Sequence, residues 1–219
     1  MKDTCLRWAL VLLFASLAQA HEHWVDADDF YPDAGSSACV RLCSGHYFPK
    51  SSFALKDKVL ESVKVWGPDG GAVEVTTAEE EKQRTGILTW AVDGVHVVTF
   101  SLRRPQAKKP SYEGKALLAV GDKSDDIRRY AQGTGLELVP GKPVSELMPG
   151  DELPVSLRLN GEPISGTLSV SAEGGKTSSL RAGPDRPALI KLRKEGRCLV
   201  TASHDGRGCS LIFMVRDDR

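Results

Sequence analysis

Apolar residues in this chain recur in short alternating runs, and glycine, proline and aspartate break the runs at close intervals. A period of two is the pattern of a strand with one buried face, and the breaks are turn signals. Ser62-Val63-Lys64-Val65-Trp66 alternates and stops at Gly67-Pro68-Asp69-Gly70-Gly71. Ile87 to Val92 and Val95 to Leu102 flank Asp93-Gly94, a hairpin signal of the type I′ kind. Lys115 to Val120 is a further strand. Between these runs, the charged stretch Thr77 to Arg84 reads as a loop or one exposed helical turn. Arg103 to Lys109, basic and proline-containing, reads as an edge or loop, and Ser124 to Tyr130 as a short helix capped by Ser124.

A second series follows Gly133-Thr134-Gly135. It comprises Leu136 to Val139, Leu153 to Leu159, Thr167 to Ala172, Ala188 to Leu192, Cys198 to Ala202 and Cys209 to Val215. Pro149-Gly150-Asp151 and Asn160-Gly161-Glu162-Pro163 punctuate it. The expected fold class is therefore all-β, with two β-sandwich-like domains. The first spans 21–130. The second spans 131–219 and is immunoglobulin-like or transthyretin-like.

Residues 1–20 form a separate unit. Lys2 and Arg7 precede an apolar run that ends at Ala18-Gln19-Ala20, the small-x-small form of a secretory cleavage site. Cleavage there makes His21 the first residue and directs the chain to the periplasm. Removing Lys2, Asp3 and Arg7 leaves 27 basic and 28 acidic side chains. That balance argues against a non-specific nucleic-acid binder or a polybasic membrane-surface protein. No second long apolar run exists to insert the body into a membrane.

The new amino terminus, His21-Glu22-His23-Trp24, is the most informative chemical feature. A free α-amine has a pKa of about 8, so its deprotonation for metal binding costs little near neutrality. Amine and imidazole of His21 together form the two-toothed unit of a histidine brace, and a further imidazole completes a copper site. The same terminus fits a competing planar site for copper(II) or nickel(II), in which His23 closes the ring of amine and backbone amides. His46, in Ser44-Gly45-His46-Tyr47-Phe48-Pro49, and His204, in Ser203-His204-Asp205-Gly206, are the candidate additional ligands. Asp205 is placed to orient His204. His96 alternates with Val98 and Phe100 and reads as a satisfied, partly buried histidine; Trp24 reads as a core or interface anchor rather than a ligand platform.

Four cysteines follow the cleavage site: Cys39, Cys43, Cys198 and Cys209. Cys39 and Cys43 share a strand face roughly 13 Å apart, too far for a mutual disulfide without a bulge. Cys198 and Cys209 flank a hairpin that a disulfide between them would clasp. With His46, Cys39 and Cys43 spell C-x3-C-x2-H, which is not a specific zinc pattern. Ser203-His204-Asp205 is adjacency rather than a triad, and no G-x-S-x-G, H-E-x-x-H or phosphate-loop motif occurs.

His21-Glu22-His23-Trp24 followed by Gly45-His46-Tyr47-Phe48-Pro49 resembles the start of the DUF4198 family. Gly135 to Pro140, Pro149-Gly150-Asp151, Asn160 to Gly166 and Val200 to His204 resemble its later segments. The resemblance implies a periplasmic component associated with cobalt or nickel uptake, with His21, His46 and His204 at the matching metal positions and His23 as an addition. The four cysteines are not part of that pattern. The resulting expectation is a non-catalytic protein that holds a divalent transition metal (nickel, cobalt or copper) and presents it to a membrane transporter. The alternative is an adhesion or scaffold module that binds protein or glycan and needs no metal. A copper redox enzyme built on the brace is a third reading.

Overall fold

The computed structural model describes residues 21–103, 111–121 and 125–216. The leader expected over 1–20, most of the basic stretch after Arg103 and the expected cap Ser124 lie outside the described residues.

Sixteen strands occur among the described residues. The first eight are β1 (Glu22–Ala27), β2 (Ser37–Gly45), β3 (Leu60–Trp66), β4 (Ala72–Glu74), β5 (Ala78–Glu79), β6 (Gln83–Thr89), β7 (Gly94–Leu102) and β8 (Tyr112–Val120). The second eight are β9 (Leu136–Pro140), β10 (Glu152–Leu159), β11 (Glu162–Pro163), β12 (Gly166–Ala172), β13 (Ser178–Ala182), β14 (Ala188–Lys191), β15 (Gly196–His204) and β16 (Arg207–Val215). The all-β, multi-sheet class expected from the alternation holds. A single 3-10 turn stands where the short helix was expected, at Ile127–Tyr130, capped by the Asp126 carboxylate, which accepts from the Arg128 amide at 3.1 Å.

The strands form three sheets. The largest has the order β13-β12-β15-β16-β8-β7-β3-β4; the others are β1-β2-β6-β5 and β11-β10-β14 with β9 beside β10. The large sheet is the shared middle layer. On one face, Val98, Phe100, Leu118 and Ile212 meet Trp24, Leu42 and Trp90 of the β1 sheet. On the other, Val97, Leu117, Val200 and Phe213 meet Leu138, Leu153 and Ile190 of the β10 sheet. Strands β7 and β8 lie under both layers, which is why Lys115 to Val120 reads as a nearly continuous apolar run rather than an alternation. Strands on either side of residue 130 are thus joined in one sheet: β8 pairs in parallel with β16 over Gly208–Ile212.

Two local expectations are corrected. The Asp93-Gly94 signal does not close a hairpin. Strand β6 pairs with β2 and β5, whereas β7 pairs with β3 and β8 in the other sheet. The chain changes layers here because Trp90 is buried between them and its backbone is held by Ser36 O at 2.9 Å and Gly35 N at 2.6 Å. The charged Thr77 to Arg84 stretch is not a loop or helical turn throughout, since it contains β5 and the start of β6. Arg84 is buried there, satisfied by Asp57 at 2.8 Å and by the carbonyl oxygens of Leu55 and Thr77.

The expected Cys198–Cys209 disulfide is overturned: Cys39, Cys43, Cys198 and Cys209 are all free thiols. Strands β15 and β16 do form the hairpin, but Cys198 faces Phe213 and Cys209 faces Ala202. The register separates the two cysteines by four residues along the ladder, roughly 13 Å, beyond the reach of a disulfide. Desolvation pushes both thiols up to about 12, so they are protonated at neutral pH. Alkylation of the unfolded, unreduced protein should label all four cysteines. In the native protein Cys39, half-buried, should react first, and a mass showing two thiols withheld from the unfolded chain would contradict the register.

One buried ion pair ties the halves together. Lys115 of β8 reaches Glu137 of β9 at 2.9 Å and also donates to the Tyr130 carbonyl. Both oxygens of Glu137 are further bound, by the amides of Gln132 at 2.9 Å and Gly133 at 3.0 Å. Burial pushes the Lys115 amine below its ordinary value while Glu137 opposes the shift. Breaking such a pair strands a buried charge. Lys115→Met should therefore destabilise the fold by about 3–5 kcal/mol in denaturant melts, and Lys115→Met combined with Glu137→Leu should recover part of that loss.

Candidate functional site

Two of the expected metal ligands, His21 and His23, line a cleft of about 980 Å³; His46 and His204 do not. Strand β1 is the edge of its sheet and packs on β8 and β16. Beyond that edge the face of β12 and β15 is uncovered, and the cleft runs along the step. His21, Glu22, His23 and Phe53 line it from the β1 side; Tyr112, Thr167, Ser169, Thr201 and Ser203 line it from the large sheet.

His21 sits just before β1 and His46 just after β2, and the antiparallel β1–β2 pairing, with Glu22 opposite Gly45, brings them together. Their ring centroids are 4.3 Å apart, and the edge of Phe53 lies 4.8 Å from His21. His23 turns inward. Its Nδ1 is 2.8 Å from Ser44 Oγ, and its ring stands perpendicular to Tyr112 at 4.8 Å. Burial, with help from the charge of His21, lowers the His23 imidazole to about 4, so it is neutral at physiological pH. Glu22 accepts a hydrogen bond from Thr201 Oγ1 at 3.3 Å; burial raises its carboxyl, while Thr201 and His46 oppose the rise. The Tyr112 hydroxyl accepts from the His23 amide at 3.4 Å, and burial pushes its phenol well up.

His204 does not join them. Alternation along β15 puts Val200, Ala202 and His204 on the face toward the β10 sheet and Thr201 and Ser203 on the cleft face. His204 Nε2 instead lies 3.5 Å from Asp205 Oδ2 in the β15–β16 turn, where Asp205 and Gly206 take positive φ. His96 is buried, with Nε2 3.0 Å from the Val92 carbonyl and its ring against Trp90. Trp24 is fully buried, as a core anchor should be.

The expectation of a nickel, cobalt or copper site serving metal transport is therefore overturned. Among the described residues, no group of three or more His, Cys, Asp or Glu side chains is placed to hold a metal ion. Of His21, His23, His46 and His204, only the first and third share one exposed spot. The strand register commits His23 to Ser44, and strand alternation sends His204 to the far side of its sheet.

The cleft's hydroxyl wall was not singled out from the sequence, although its signal is present. Thr167-Leu168-Ser169-Val170-Ser171 and Thr201-Ala202-Ser203 alternate hydroxyl and apolar residues. In the sheet Ser179, Ser169, Thr201 and Ser210 stand in register across β13, β12, β15 and β16. Phe53 and Tyr112 were also missed; nothing in a single sequence marks a lone aromatic residue as part of a cleft wall.

Fold and site together define an all-β protein of stacked sheets with an open cleft at the edge of its amino-terminal strand. The chain belongs to the DUF4198 family, whose model matches residues 18–207 and whose description is a domain of unknown function. That match carries no association with metal uptake. No curated protein matches the sequence. Among solved structures, a tetra-tandem repeat from the extending region of a large adhesion protein is 13% identical with a TM-score of 0.32, over 90% of this chain and 49% of that one. The D0-D1 domain of intimin is 12% identical with a TM-score of 0.29, over 90% and 100%. A two-domain fibronectin type III segment from chicken tenascin is 10% identical with a TM-score of 0.27, over 88% and 97%. The chain spans about half the length of the first of these. At such TM-scores the likenesses carry no argument about function. Among the described residues, no helix is long and apolar enough to cross a membrane.

The depressed His23 has a measurable consequence. Its folded value near 4 lies below the unfolded value near 6.5, so the unfolded chain binds more protons between them. Stability should fall as pH drops from about 6.5 to about 4, by on the order of 3 kcal/mol at most. Equilibrium melts across that range should show the slope in the parent and a flatter profile in His23→Gln. An unchanged slope in the variant would place the titrating group elsewhere.

Proposed function

We infer that this protein is an exported recognition module that binds a glycan, without turnover, in the cleft beside β1. The reading treats residues 21–130 and 131–219 as two sandwich-like halves joined through the shared sheet, the second immunoglobulin-like or transthyretin-like. The leader over residues 1–20 supports export.

The observation that carries the reading is the pairing of unlike walls across one cleft. Phe53 offers apolar surface from the β1 side, while Thr167, Ser169, Thr201 and Ser203 form a hydroxyl wall on the face of the large sheet. A sugar ring presents the same division, with apolar C–H faces and hydroxyl edges. Clefts of this size, apolar with a few convergent polar groups, are the usual form of ligand sites. Arg103, Lys56 and Arg207 at the margin are each ion-paired, with Glu61, Glu79 and Glu113, so they add no preference for acidic glycans.

Screening the leader-free protein against a glycan array, then titrating the best ligand by calorimetry, tests the reading. Phe53→Ala combined with Thr201→Val should weaken binding at least about tenfold and leave the circular dichroism unchanged. Binding that survives both changes, or saturable binding to a protein and to no glycan, would overturn it.

A further inference from the structure

The large sheet is also open on its second face, the one toward β10, at the side of β3 and β7. Val63 and Val65 of β3 turn to the β1 side, so Ser62, Lys64 and Trp66 turn the other way. Register sets Ser62 beside Ser101 and Glu113, and Lys64 beside Thr99 and Lys115, across β3, β7 and β8. Strand β9 lies against β8 and β16, and the segment 132–137 that leads into it borders this face. A groove of about 490 Å³ runs between them. Ser62, Trp66, Thr99, Ser101 and Gln132 line it and are partly exposed, and Thr134 stands exposed at the rim. Lys115, Leu136 and Glu137 are buried and close the floor.

Every charge that lines this groove already has a partner. Lys64 meets Glu74 at 3.2 Å, Lys115 meets Glu137 at 2.9 Å, Glu113 meets Arg207 at 3.4 Å, and Glu61 meets Arg103. The groove therefore offers a ligand no free charge of either sign. It offers hydroxyl and amide groups instead. Ser62 Oγ and Ser101 Oγ lie 2.9 Å apart, and each hydroxyl keeps capacity for a further bond. The Thr134 hydroxyl and the Gln132 side-chain carbonyl are bound by no other group among the described residues. Trp66 supplies the apolar element. Its Nε1 donates to Thr99 Oγ1 at 3.1 Å, two residues along β7 from Val97, its own cross-strand partner. That bond satisfies the polar atom of the indole and lays the ring along the sheet beside the hydroxyls.

We propose that this groove is a second carbohydrate site and takes an uncharged pyranose, with a C–H face of the sugar on the Trp66 indole and its hydroxyl edge toward Ser62, Ser101, Gln132 and Thr134. The π face of an indole is negative and attracts C–H groups. Hydroxyl and amide side chains donate and accept, as a sugar hydroxyl does. A carboxylated or aminated ligand would give up water at its charge and find no free counter-charge, so the groove selects against it. Its volume lies within the range of small-molecule sites. The proposal goes beyond the reading of the β1 cleft and is separate from it. The two lie on opposite faces of the large sheet and share no lining residue.

Trp66 also supplies the readout. After the leader the tryptophans are Trp24 and Trp90, both fully buried, and Trp66, which is not. Acrylamide quenching of the leader-free protein therefore reports on Trp66. Methyl β-D-glucopyranoside and cellobiose, whose equatorial hydroxyls leave the ring faces to C–H groups, should protect the fluorescence in a saturable manner. Methyl β-D-glucuronide, which adds a carboxylate to the same ring, should bind at least about tenfold more weakly. Neither comparison requires a variant. Combined Ser62→Ala and Thr134→Val should cut cellobiose affinity at least about tenfold and leave the circular dichroism unchanged. Phe53→Ala combined with Thr201→Val, the change that tests the β1 cleft, should leave the protection intact, so that failure of one site is distinguishable from failure of the other. Absence of protection by both neutral sugars, full affinity in the Ser62→Ala and Thr134→Val variant, or glucuronide binding as tight as that of the glucoside would overturn the proposal.

Discussion

Parallel pairing of β8 with β16 is the constraint on which the rest of the architecture depends. It joins strands from the two ends of the chain into one eight-stranded layer, and that layer then serves two cores at once. The seam tolerates little bulk. A Cβ at Gly114 would lie 2.3 Å from the Phe100 ring and 2.4 Å from Ser210 Oγ, and one at Gly208 would lie 2.4 Å from the Tyr112 ring. All three separations are far inside van der Waals contact. Glycine at these two positions lets the aromatic rings lie flat along the seam, with Phe100 stacked on Tyr112 at 6.1 Å.

Polar contacts hold the same joint from both faces. On the β10 side the buried Lys115–Glu137 pair fixes the segment that enters β9. On the β1 side Asp26 meets Arg197 of β15, and Tyr31 donates to the Met214 carbonyl at 2.6 Å. These contacts set how far the β1 sheet extends over the large sheet. It reaches over Leu199 of β15, and beyond that the cleft face of Thr167, Ser169, Thr201 and Ser203 remains open beside it. The cleft is the consequence of that unequal width rather than of any loop built for the purpose.

Much of the fold was legible because strand alternation is a local record of burial. Leu153 to Leu159, Thr167 to Ala172 and Cys209 to Val215 all form strands at or near the expected places. The failures share one cause. Asp93-Gly94 has the composition of a hairpin, yet partner choice rests on where Trp90 is buried, which lies outside the dipeptide. Arg84 makes its segment look exposed, yet Asp57 and two carbonyl groups satisfy it in the interior. Cys198 and Cys209 flank a true hairpin, yet its register separates them by four residues. Of the four candidate ligands, His21 and His46 do meet. Convergence of all four required knowledge of which face each strand would turn inward.

The sequence by itself determined that the chain is built from short strands, where most of them lie, and that Trp24 and His96 belong to the interior. These properties follow from side-chain alternation and turn chemistry, which act over a few residues. Only the tertiary structure decided that one sheet would serve both cores, that His204 would face away from His21, that four thiols would stay apart and that a hydroxyl wall would border a cleft. Each depends on contacts between strands distant in the chain, such as the pairing of β8 with β16 and the side-chain bond of Glu22 with Thr201. Because a one-residue change of register exchanges the two faces of a strand, no local pattern could fix them.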